Sequence, residues 1–428
     1  MSRRGTIALL ASALILTGCG GGAQETGPTA QTGQAAQKVT VDWWHIATQE
    51  PGKSWMAKAA KDYEAAHPNV TIKVTVMENE AFKSKMSTVA ASGGGPDVFT
   101  TWGGGVLAQQ VDAGLVKDIT DDLADIKDNF PAAVLPPYVV DGKIYAMPTD
   151  IGMVGFWYNK DLFAKAGISE PPATWAAYIE DVKKLKAAGI TPIALAGKEK
   201  WPGHFYWAYL AMRTAGVPGL QQAAKDKDFT GPDFVAAGAH LKELADLQPF
   251  QQGFQNAAYD KPGGQAATMG NGKAAMELMG QWAPNTEKTS GKGIGDKLGF
   301  FPFPAVDGGK GAITDAFGGG GGFAVGADAP AEAVDFLKSL MTTERHGDAV
   351  KKDIWQPVFK GEESVVVDAN KKVVAETLAR ATGFQLYLDQ AFPPAIGQEV
   401  NDSVAQLIEG KKTPEEVVKS ITETAKSE

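Results

Sequence analysis

Residues 39–48 read VTVDWWHIAT and contain the first clear strand pattern of the chain. Apolar and polar side chains alternate as far as Trp43, and a period of two residues is typical of a β-strand with one buried face. This alternation predicts Trp43 on the core face and Trp44 on the opposite face. Because Trp44, His45 and Thr48 lie at or beyond the carboxyl end of the strand, we expect them to face a binding cleft, although a core or capping role suits His45 equally well.

The segment that follows alternates between helical and extended patterns. Its predicted elements are a helix over 54–67, a strand over 70–76, a helix over 80–91 and a strand over 97–102. This order favours a parallel α/β sheet with right-handed crossovers, and ligands of such sheets bind beyond the carboxyl ends of the strands. The ends of the second and third strands carry Glu78, Asn79 and Glu80, and Trp102 and Gly103. One edge of the sheet is therefore predicted to be both aromatic and polar.

The N-terminus has the pattern of a secretory signal. Two arginines precede the apolar run 6–16, and small residues before Cys19 are typical of a cleavage site. The run is shorter than the roughly 20 residues that a membrane-spanning helix needs. We therefore expect residues 1–18 to be removed and residues 19–37, rich in Gly and Gln, to form a flexible tether.

Composition narrows the classes of function. The 428 residues carry a formal net charge of −9, which argues against binding of nucleic acid. With a single cysteine the chain cannot form an internal disulfide, so burial must stabilise the fold, most easily as two domains. The five histidines have no zinc-ligand spacing, and the glycine run 318–322 lacks the Lys-Ser or Lys-Thr of a phosphate loop. We expect no metal and no cofactor.

Six motifs occur in order along the chain. They are GGGPDVFTTW (93–102), VDAGLVKDIT (111–120), DGKIYAMPTD (141–150), WYNKDLFAKAGI (157–168), NGKAAMELMGQWAP (271–284) and GKKTPEEVV (410–418). Together with the Leu-Thr-Gly-Cys sequence that ends at Cys19, they resemble the extracellular solute-binding lipoproteins of ABC sugar importers, the group that includes maltose-binding protein. The resemblance covers nearly all of 39–428. It implies lipidation of Cys19 and attachment to the extracytoplasmic face of the cell membrane.

The resemblance also implies the fold. We expect a two-lobed, periplasmic-binding-protein-like α/β fold of type II, in which each lobe is a sheet flanked by helices and the ligand cleft lies between the lobes. The expected N-lobe is 38–148 plus 298–345, and the expected C-lobe is 149–297 plus 346–428. A hinge is expected at Pro148–Gly152 and near Gly291–Lys297, where glycines can absorb backbone rotation.

A neutral sugar presents hydroxyl groups and nearly apolar C–H patches, so its receptor needs flat aromatic faces beside polar side chains. The candidate ligand-binding residues are Trp44, His45, Thr48, Glu78, Asn79, Glu80, Trp102, Gly103, Asp150, Trp201, His204, Phe205, Trp282, Gly319 and Asp389. The resemblance supports Trp102, Asp150, Trp282 and Asp389 in particular. Each candidate has a structural alternative, such as helix capping for Asn79, a hydrogen bond across the hinge for Asp150, and core packing for the tryptophans.

The resemblance implies a receptor without catalytic residues. It would capture an oligosaccharide between its lobes as a monomer and deliver it to the permease subunits of a membrane importer. The stretches WWHIATQEP (43–51) and WGGGVL (102–107) resemble receptors for short plant-polymer oligosaccharides, which favours xylo-oligosaccharides such as xylobiose over cello-, chito- or malto-oligosaccharides. Two alternatives stay open. Scattered acids are compatible with an exported glycan-degrading enzyme, and a receptor for a peptide or another non-sugar solute would have an Arg-rich or strongly charged cleft.

Overall fold

The computed structural model describes residues 38–131 and 134–428. The predicted signal peptide, the tether over 19–37 and the lipidation site at Cys19 lie outside the described residues. Within them, no helix combines the length and the apolar character that a membrane crossing requires.

The strands come in short segments along the whole chain. They are β1 (Val39–His45), β2 (Val70–Val76), β3 (Val98–Thr101), β4 (Val139–Val140), β5 (Lys143–Ile144), β6 (Ala146–Pro148), β7 (Gly152–Met153), β8 (Gly155–Asn159), β9 (Thr191–Ile193), β10 (Ala274–Met279), β11 (Leu298–Phe301), β12 (Ala316–Gly319), β13 (Gly322–Val325) and β14 (Phe384–Leu386).

The α-helices connect and cover these strands. They are α1 (Gly52–Ala66), α2 (Asn79–Ser92), α3 (Gly104–Asp112), α4 (Lys160–Lys165), α5 (Trp175–Ala187), α6 (Trp201–Asp226), α7 (Pro232–Asp246), α8 (Gln265–Gly270), α9 (Ala283–Ser290), α10 (Ala331–Leu340), α11 (Thr343–Lys351), α12 (Ala369–Ala379), α13 (Leu388–Ala391), α14 (Pro394–Ile408) and α15 (Pro414–Ser427). The elements predicted between residues 39 and 102 are confirmed to within two residues at each end.

The first sheet has the strand order β2-β1-β3-β13-β6. β1 is parallel to β2 and to β3, as the strand–helix–strand order predicts. β13 is antiparallel to both of its neighbours because it returns from another part of the chain without a crossover helix. The expectation of a parallel sheet therefore holds for the first three strands, and the complete sheet is mixed.

Trp43 lies in the core of this first sheet, as the alternation predicts. Its side chain is fully buried, and its ring packs edge-on against Phe323 and Phe336 at centroid distances of 5.5 and 5.0 Å. Such edge-to-face pairs add specific attraction to the burial of apolar area. β1 is thereby fixed on β13 and α10, which sets the position of the loop that follows it.

The second sheet has the strand order β11-β8-β10-β9 and a separate hydrophobic core with α5, α6 and α7. A third, smaller sheet has the order β14-β12-β7. The chain leaves the first sheet after β6, passes through β7 and enters the second sheet at β8, and it returns from β12 to β13. These two passages frame the cavity described below.

Two of the expected lobe boundaries need correction. β11 pairs with β8 in the second sheet, so the chain returns to the first sheet at β13 and not at residue 298. Ala349, Trp355 and Phe359 pack in the core of the first sheet, although they follow the expected boundary at residue 345. Gly291–Lys297 connects α9 to β11 and does not cross between the sheets.

Candidate ligand-binding site

A cavity of about 380 Å³ is lined by segments that belong to both sheets. The β1–α1 loop, the start of α2 and the end of β3 contribute from the first sheet. The starts of α6 and α9 contribute from the second sheet. The passages at 149–150 and 320–322 and the segments 259–260, 354–355 and 387–390 also line the cavity. The volume is within the range of small-molecule sites.

His45 ends β1 and lines the cavity on the face of the strand that carries Trp43. Its ring is 1% exposed, and its Nδ1 accepts a hydrogen bond from the backbone N–H of Ala47 at 3.2 Å. Nε2 therefore carries the proton of the neutral ring, and it has no protein partner among the described residues. Burial lowers the pKa of His45 to about 4, so the ring is neutral at pH 7. Thr48 also lines the cavity.

Trp44 does not line the cavity, which corrects the expectation for this residue. It points to the opposite face of β1, where α2 covers it and Lys85 Nζ lies 3.9 Å from the centroid of its ring. Phe82 and Phe99 belong to the cluster against which it packs. The alternation separates the two tryptophans correctly, but the cavity opens on the side of Trp43 and His45.

The start of α2 brings Glu78 and Asn79 to the cavity, whereas the exposed Glu80 does not line it. The side chain of Asn79 donates to Glu80 Oε1 at 2.7 Å. It does not cap the helix, because the capping position belongs to Glu78. Glu78 Oε1 accepts from Lys261 Nζ at 2.6 Å, and this ion pair joins the first-sheet side of the cavity to the second-sheet side.

Aromatic rings form much of the lining. The phenyl, phenol and indole rings that line the cavity are those of Trp102, Trp201, Phe205, Tyr259, Trp282, Phe323, Trp355 and Tyr387. The centroids of Trp201 and Trp282 are 6.4 Å apart with the ring planes at 60°. The ring of Phe205 stacks on the ring of Tyr387 with 5.4 Å between their centroids, and this contact supports the wall of the cavity. Trp102, Trp201 and Trp282 are only partly buried, so each keeps part of its ring accessible.

Asp150 lines the cavity at the passage between the sheets. Its Oδ2 accepts from Gln281 Nε2 at 2.6 Å, and its Oδ1 accepts from the backbone N–H of Gln356 at 2.5 Å. Burial raises the pKa of this carboxyl group, and these two hydrogen bonds only partly offset the effect. Asp150 therefore makes structural hydrogen bonds, as its alternative role requires, and also lines the cavity.

Asp389 also lines the cavity, on the second-sheet side. Its Oδ2 lies 3.4 Å from Lys83 Nζ, and its side chain is 8% exposed. Burial would raise the pKa of Asp389, but the positive charge of Lys83 and contacts with His204 and Asn401 outweigh it and lower the pKa. An ionised carboxylate is therefore held in the wall of the cavity.

Three further candidates lie outside the lining. His204 is fully buried behind it, where its Nδ1 donates to Asn401 Oδ1 at 2.7 Å. Gly103 has φ 76°, and a Cβ there would approach the carbonyl oxygen of Pro137 to 2.5 Å. At Gly319 a Cβ would contact the ring of Tyr387 at 2.7 Å. These glycines allow close packing, and the neighbouring residues 320–322 line the cavity instead of Gly319.

Several lining residues were not predicted from the sequence. They include Lys83, Tyr259, Gln281, Asn285, Trp355 and Tyr387. Gln281 and Tyr387 could have been found, because they lie one and two residues before Trp282 and Asp389. Trp355 and Tyr259 lie in segments with no motif, and only the tertiary fold brings them to the cavity. Across 38–131 and 134–428, no group of three or more His, Cys, Asp or Glu side chains is arranged to hold a metal ion.

Comparison with known proteins gives consistent matches. A family profile described as bacterial extracellular solute-binding protein matches residues 46–345. The multiple sugar-binding protein of Streptococcus mutans is 27% identical over 72% of this chain and 72% of its own length. The diacetylchitobiose binding protein DasA of Streptomyces coelicolor is 26% identical over 86% of this chain and 84% of its own.

Solved structures extend the match to the whole fold. A structure from work on xylan utilization by the thermophilic bacterium Caldanaerobius polysaccharolyticus has a TM-score of 0.84 and 30% identity, and the match covers 90% of this chain and 99% of that one. A chitin oligosaccharide binding protein has a TM-score of 0.84 and 28% identity, with 91% and 98% covered.

Proposed function

The chain belongs to the bacterial extracellular solute-binding proteins, in the group that serves ABC sugar importers, and on this premise we propose that its cavity captures a short oligosaccharide for delivery to the permease subunits of a membrane importer. The observation that carries this proposal is the combination of accessible tryptophan rings with hydrogen-bonding side chains around one cavity.

The chemistry of the lining suits a sugar. The partly exposed rings of Trp102, Trp201 and Trp282 offer flat apolar faces for the C–H patches of a pyranose. Asn79 and Asp150 offer donors and acceptors for its hydroxyl groups. We propose that the lining residues among the sequence candidates contact the ligand directly, and that Trp44, Glu80, Gly103, His204 and Gly319 do not contact it.

We propose a xylo-oligosaccharide such as xylobiose as the preferred ligand. Two observations support it: the stretches 43–51 and 102–107, and the similarity to the structure from work on xylan utilization. The relatives named for diacetylchitobiose and for chitin oligosaccharides make N,N′-diacetylchitobiose the second candidate. Calorimetric titration with both disaccharides separates these two assignments.

We propose that the two sheets form two lobes that close on the ligand. The strand pairing favours a first lobe of 38–148 plus 320–366 and a second of 149–319 plus 367–428. Hinge motion would then occur at Pro148–Gly152 and Gly319–Gly322, where the chain passes between the sheets. Ligand favours closure because it contacts both lobes only in the closed state.

A receptor releases its ligand unchanged, and this separates it from the alternative of a glycan-degrading enzyme. Incubation of the protein with labelled xylo-oligosaccharides should show saturable binding and no shorter products. Steady release of shorter sugars would overturn the proposal. The lining also contains no arginine among the described residues, so it lacks the Arg-rich cleft that one form of the peptide-receptor alternative would have.

We further propose that the protein is a monomer held at the extracytoplasmic face of the membrane by lipid at Cys19. The resemblance at Leu-Thr-Gly-Cys supports this anchor. Replacement Cys19→Ser should move the protein from the membrane fraction to the soluble fraction without changing its sugar affinity. Membrane retention of the variant would contradict the anchor.

A further inference from the structure

The charged groups that line the cavity are unequal in number. Five carboxyl side chains line it, from Glu50, Glu78, Asp150, Asp260 and Asp389. Among the described lining residues Lys83 supplies the one ammonium group, and the buried His45 is neutral. A cleft whose walls carry mostly one sign of charge concentrates that field inside it.

Lys83 is already engaged with acids. Its Nζ lies 3.4 Å from Asp389 Oδ2 and 3.7 Å from Glu80 Oε1. The same ammonium group lies 5.6 Å from the centroid of the Trp102 ring, so it sits beside one of the aromatic faces that line the cavity. A ligand carboxylate that approached this group would compete with Asp389 for the same positive charge.

Lys261, next to the lining residue Asp260, is also engaged with acids. Lys261 lies at the rim outside the lining, and its Nζ is 2.6 Å from Glu78 Oε1 and 3.4 Å from Asp260 Oδ1. Asp150 accepts hydrogen bonds from the amide groups of Gln281 and Gln356, which are uncharged donors. The five lining carboxyl groups therefore outnumber the two ammonium groups, those of Lys83 and Lys261, that lie within 4 Å of them.

We propose that the cavity excludes anionic sugars and that Asp389 is the specificity-determining residue, because it occupies Lys83, the one ammonium group that an anionic ligand would otherwise bind. The proposal rests on the sugar-receptor function proposed above and narrows its substrate class to uncharged oligosaccharides. A sugar that bears a uronic acid would have to lose the hydration of its carboxylate next to like charges, without a partner in return.

The test uses two ligands that differ at one group. An aldobiouronic acid, in which glucuronic acid is linked to xylose, is compared with the neutral disaccharide made by reducing its carboxyl group to CH2OH. Calorimetry gives the dissociation constants of both for the wild type, D389N and the double variant D389N/K83M. Because each variant is judged by the ratio of the two constants, a loss of affinity common to both ligands cancels.

The expected ratios follow from the charges. The wild type should bind the neutral form at least about tenfold more tightly than the acid. One repulsive contact between like charges a few ångströms apart is large enough to produce this difference. D389N removes the nearer of the two carboxylates that Lys83 contacts and leaves only the more exposed Glu80, so it should narrow the ratio of the two constants by about tenfold, and D389N/K83M should restore the discrimination. Added salt should narrow the wild-type ratio, since it screens the field.

Each other outcome contradicts one of the two proposals. Equal wild-type affinity for the acid and the neutral form would overturn the charge exclusion. If D389N still binds the neutral form and its ratio of dissociation constants equals that of the wild type, Asp389 does not determine the specificity. If D389N fails to fold, a wild-type ratio that does not respond to salt would overturn the inference. Failure of the reduced disaccharide, xylobiose and N,N′-diacetylchitobiose all to bind the wild type would instead refute the sugar-receptor function.

Discussion

The rings of Trp201 and Trp282 lie 6.4 Å apart at 60° to each other, although Trp201 begins α6 and Trp282 immediately precedes α9. Together they form a corner of the cavity wall. Two faces that meet at an angle suit a short oligosaccharide, in which successive rings are turned relative to each other. This corner is the part of the lining on which we expect binding to depend most.

The first prediction concerns Trp282. Trp282→Ala should weaken sugar binding by about 30-fold or more, because truncation of a central aromatic contact commonly costs about 2 kcal/mol. Trp44→Ala is the matched control, since Trp44 packs outside the cavity, and it should leave affinity within about threefold of the wild type. Calorimetric titration with xylobiose measures both. Equal losses in the two variants would show that Trp282 acts through stability alone.

The second prediction concerns the ion pair between Lys261 and Glu78, which joins the two sides of the cavity at 2.6 Å. Both side chains are half exposed, so Lys261→Met should weaken ligand binding by no more than about fivefold, as expected for exposed pairs. The loss should appear mainly as faster ligand dissociation in stopped-flow measurements. Lys419→Met, which removes an exposed pair on α15, should have no effect. If ligand dissociates from Lys261→Met at the same rate as from the wild type, the ion pair does not hold the two sides of the cavity together.

The third prediction concerns pH and two buried glutamates. Glu277 and Glu287 are 0% and 1% exposed, and burial raises the pKa of both, that of Glu277 to about 7. In the unfolded chain these groups ionise above about pH 4.5, whereas the folded protein holds its protons to higher pH. Stability from this source is therefore greatest below about pH 4.5 and falls as the pH rises from there through about 7, where Glu277 ionises in the folded protein.

Glu287→Gln tests this pair directly. Removing one of the two acids should raise the free energy of unfolding at pH 8 and flatten its decline between pH 5 and pH 8. Glu423→Gln, at an exposed position on α15, should keep the slope of the wild type. Urea unfolding at each pH provides the measurement. A slope in Glu287→Gln as steep as in the wild type would place the titrating group elsewhere.

The fourth prediction concerns Arg213, which is 1% exposed on α6. Its guanidinium donates hydrogen bonds to the carbonyl oxygens of Pro304, Ala312, Asp315, Phe303 and Ile313. A lysine ammonium cannot reach this set of acceptors, so Arg213→Lys should lower the free energy of unfolding by at least about 2 kcal/mol. Arg380→Lys, at an exposed position, should change it by less than about 0.5 kcal/mol. Equal unfolding curves for the two variants would contradict this role of Arg213.

Sequence patterns predicted the local structure well because it depends on neighbouring residues. The alternation in 39–44 predicts Trp43 in the core, where it lies fully buried. The same pattern does not show on which side of β1 the cavity opens, and Trp44 lies on the other side of the strand. That side is decided by β13 and α10, which come from nearly 300 residues farther along the chain.

Long-range pairing explains the other errors. β11 has the same apolar pattern as a strand of either sheet, and only its pairing with β8 assigns it to the second. The sequence around Lys83 predicts a solvent-exposed face of α2. Its place in the cavity depends on Asp389, which is far away in the sequence. Trp282 lies in one of the six motifs and Asp389 is a candidate through the family resemblance, whereas Trp355 lies in a segment without such a motif.

Thermal unfolding of the protein across a panel of neutral sugars, including xylobiose, N,N′-diacetylchitobiose, cellobiose and maltose, tests the central claim most directly. A ligand that binds the folded state stabilises it by about 2.7 kcal/mol at 100 times its dissociation constant. We expect a concentration-dependent rise of the unfolding temperature with at least one of these sugars, largest for xylobiose, and a loss of that rise in Trp282→Ala. No rise with any sugar at millimolar concentration would contradict the assignment of the cavity as an oligosaccharide site.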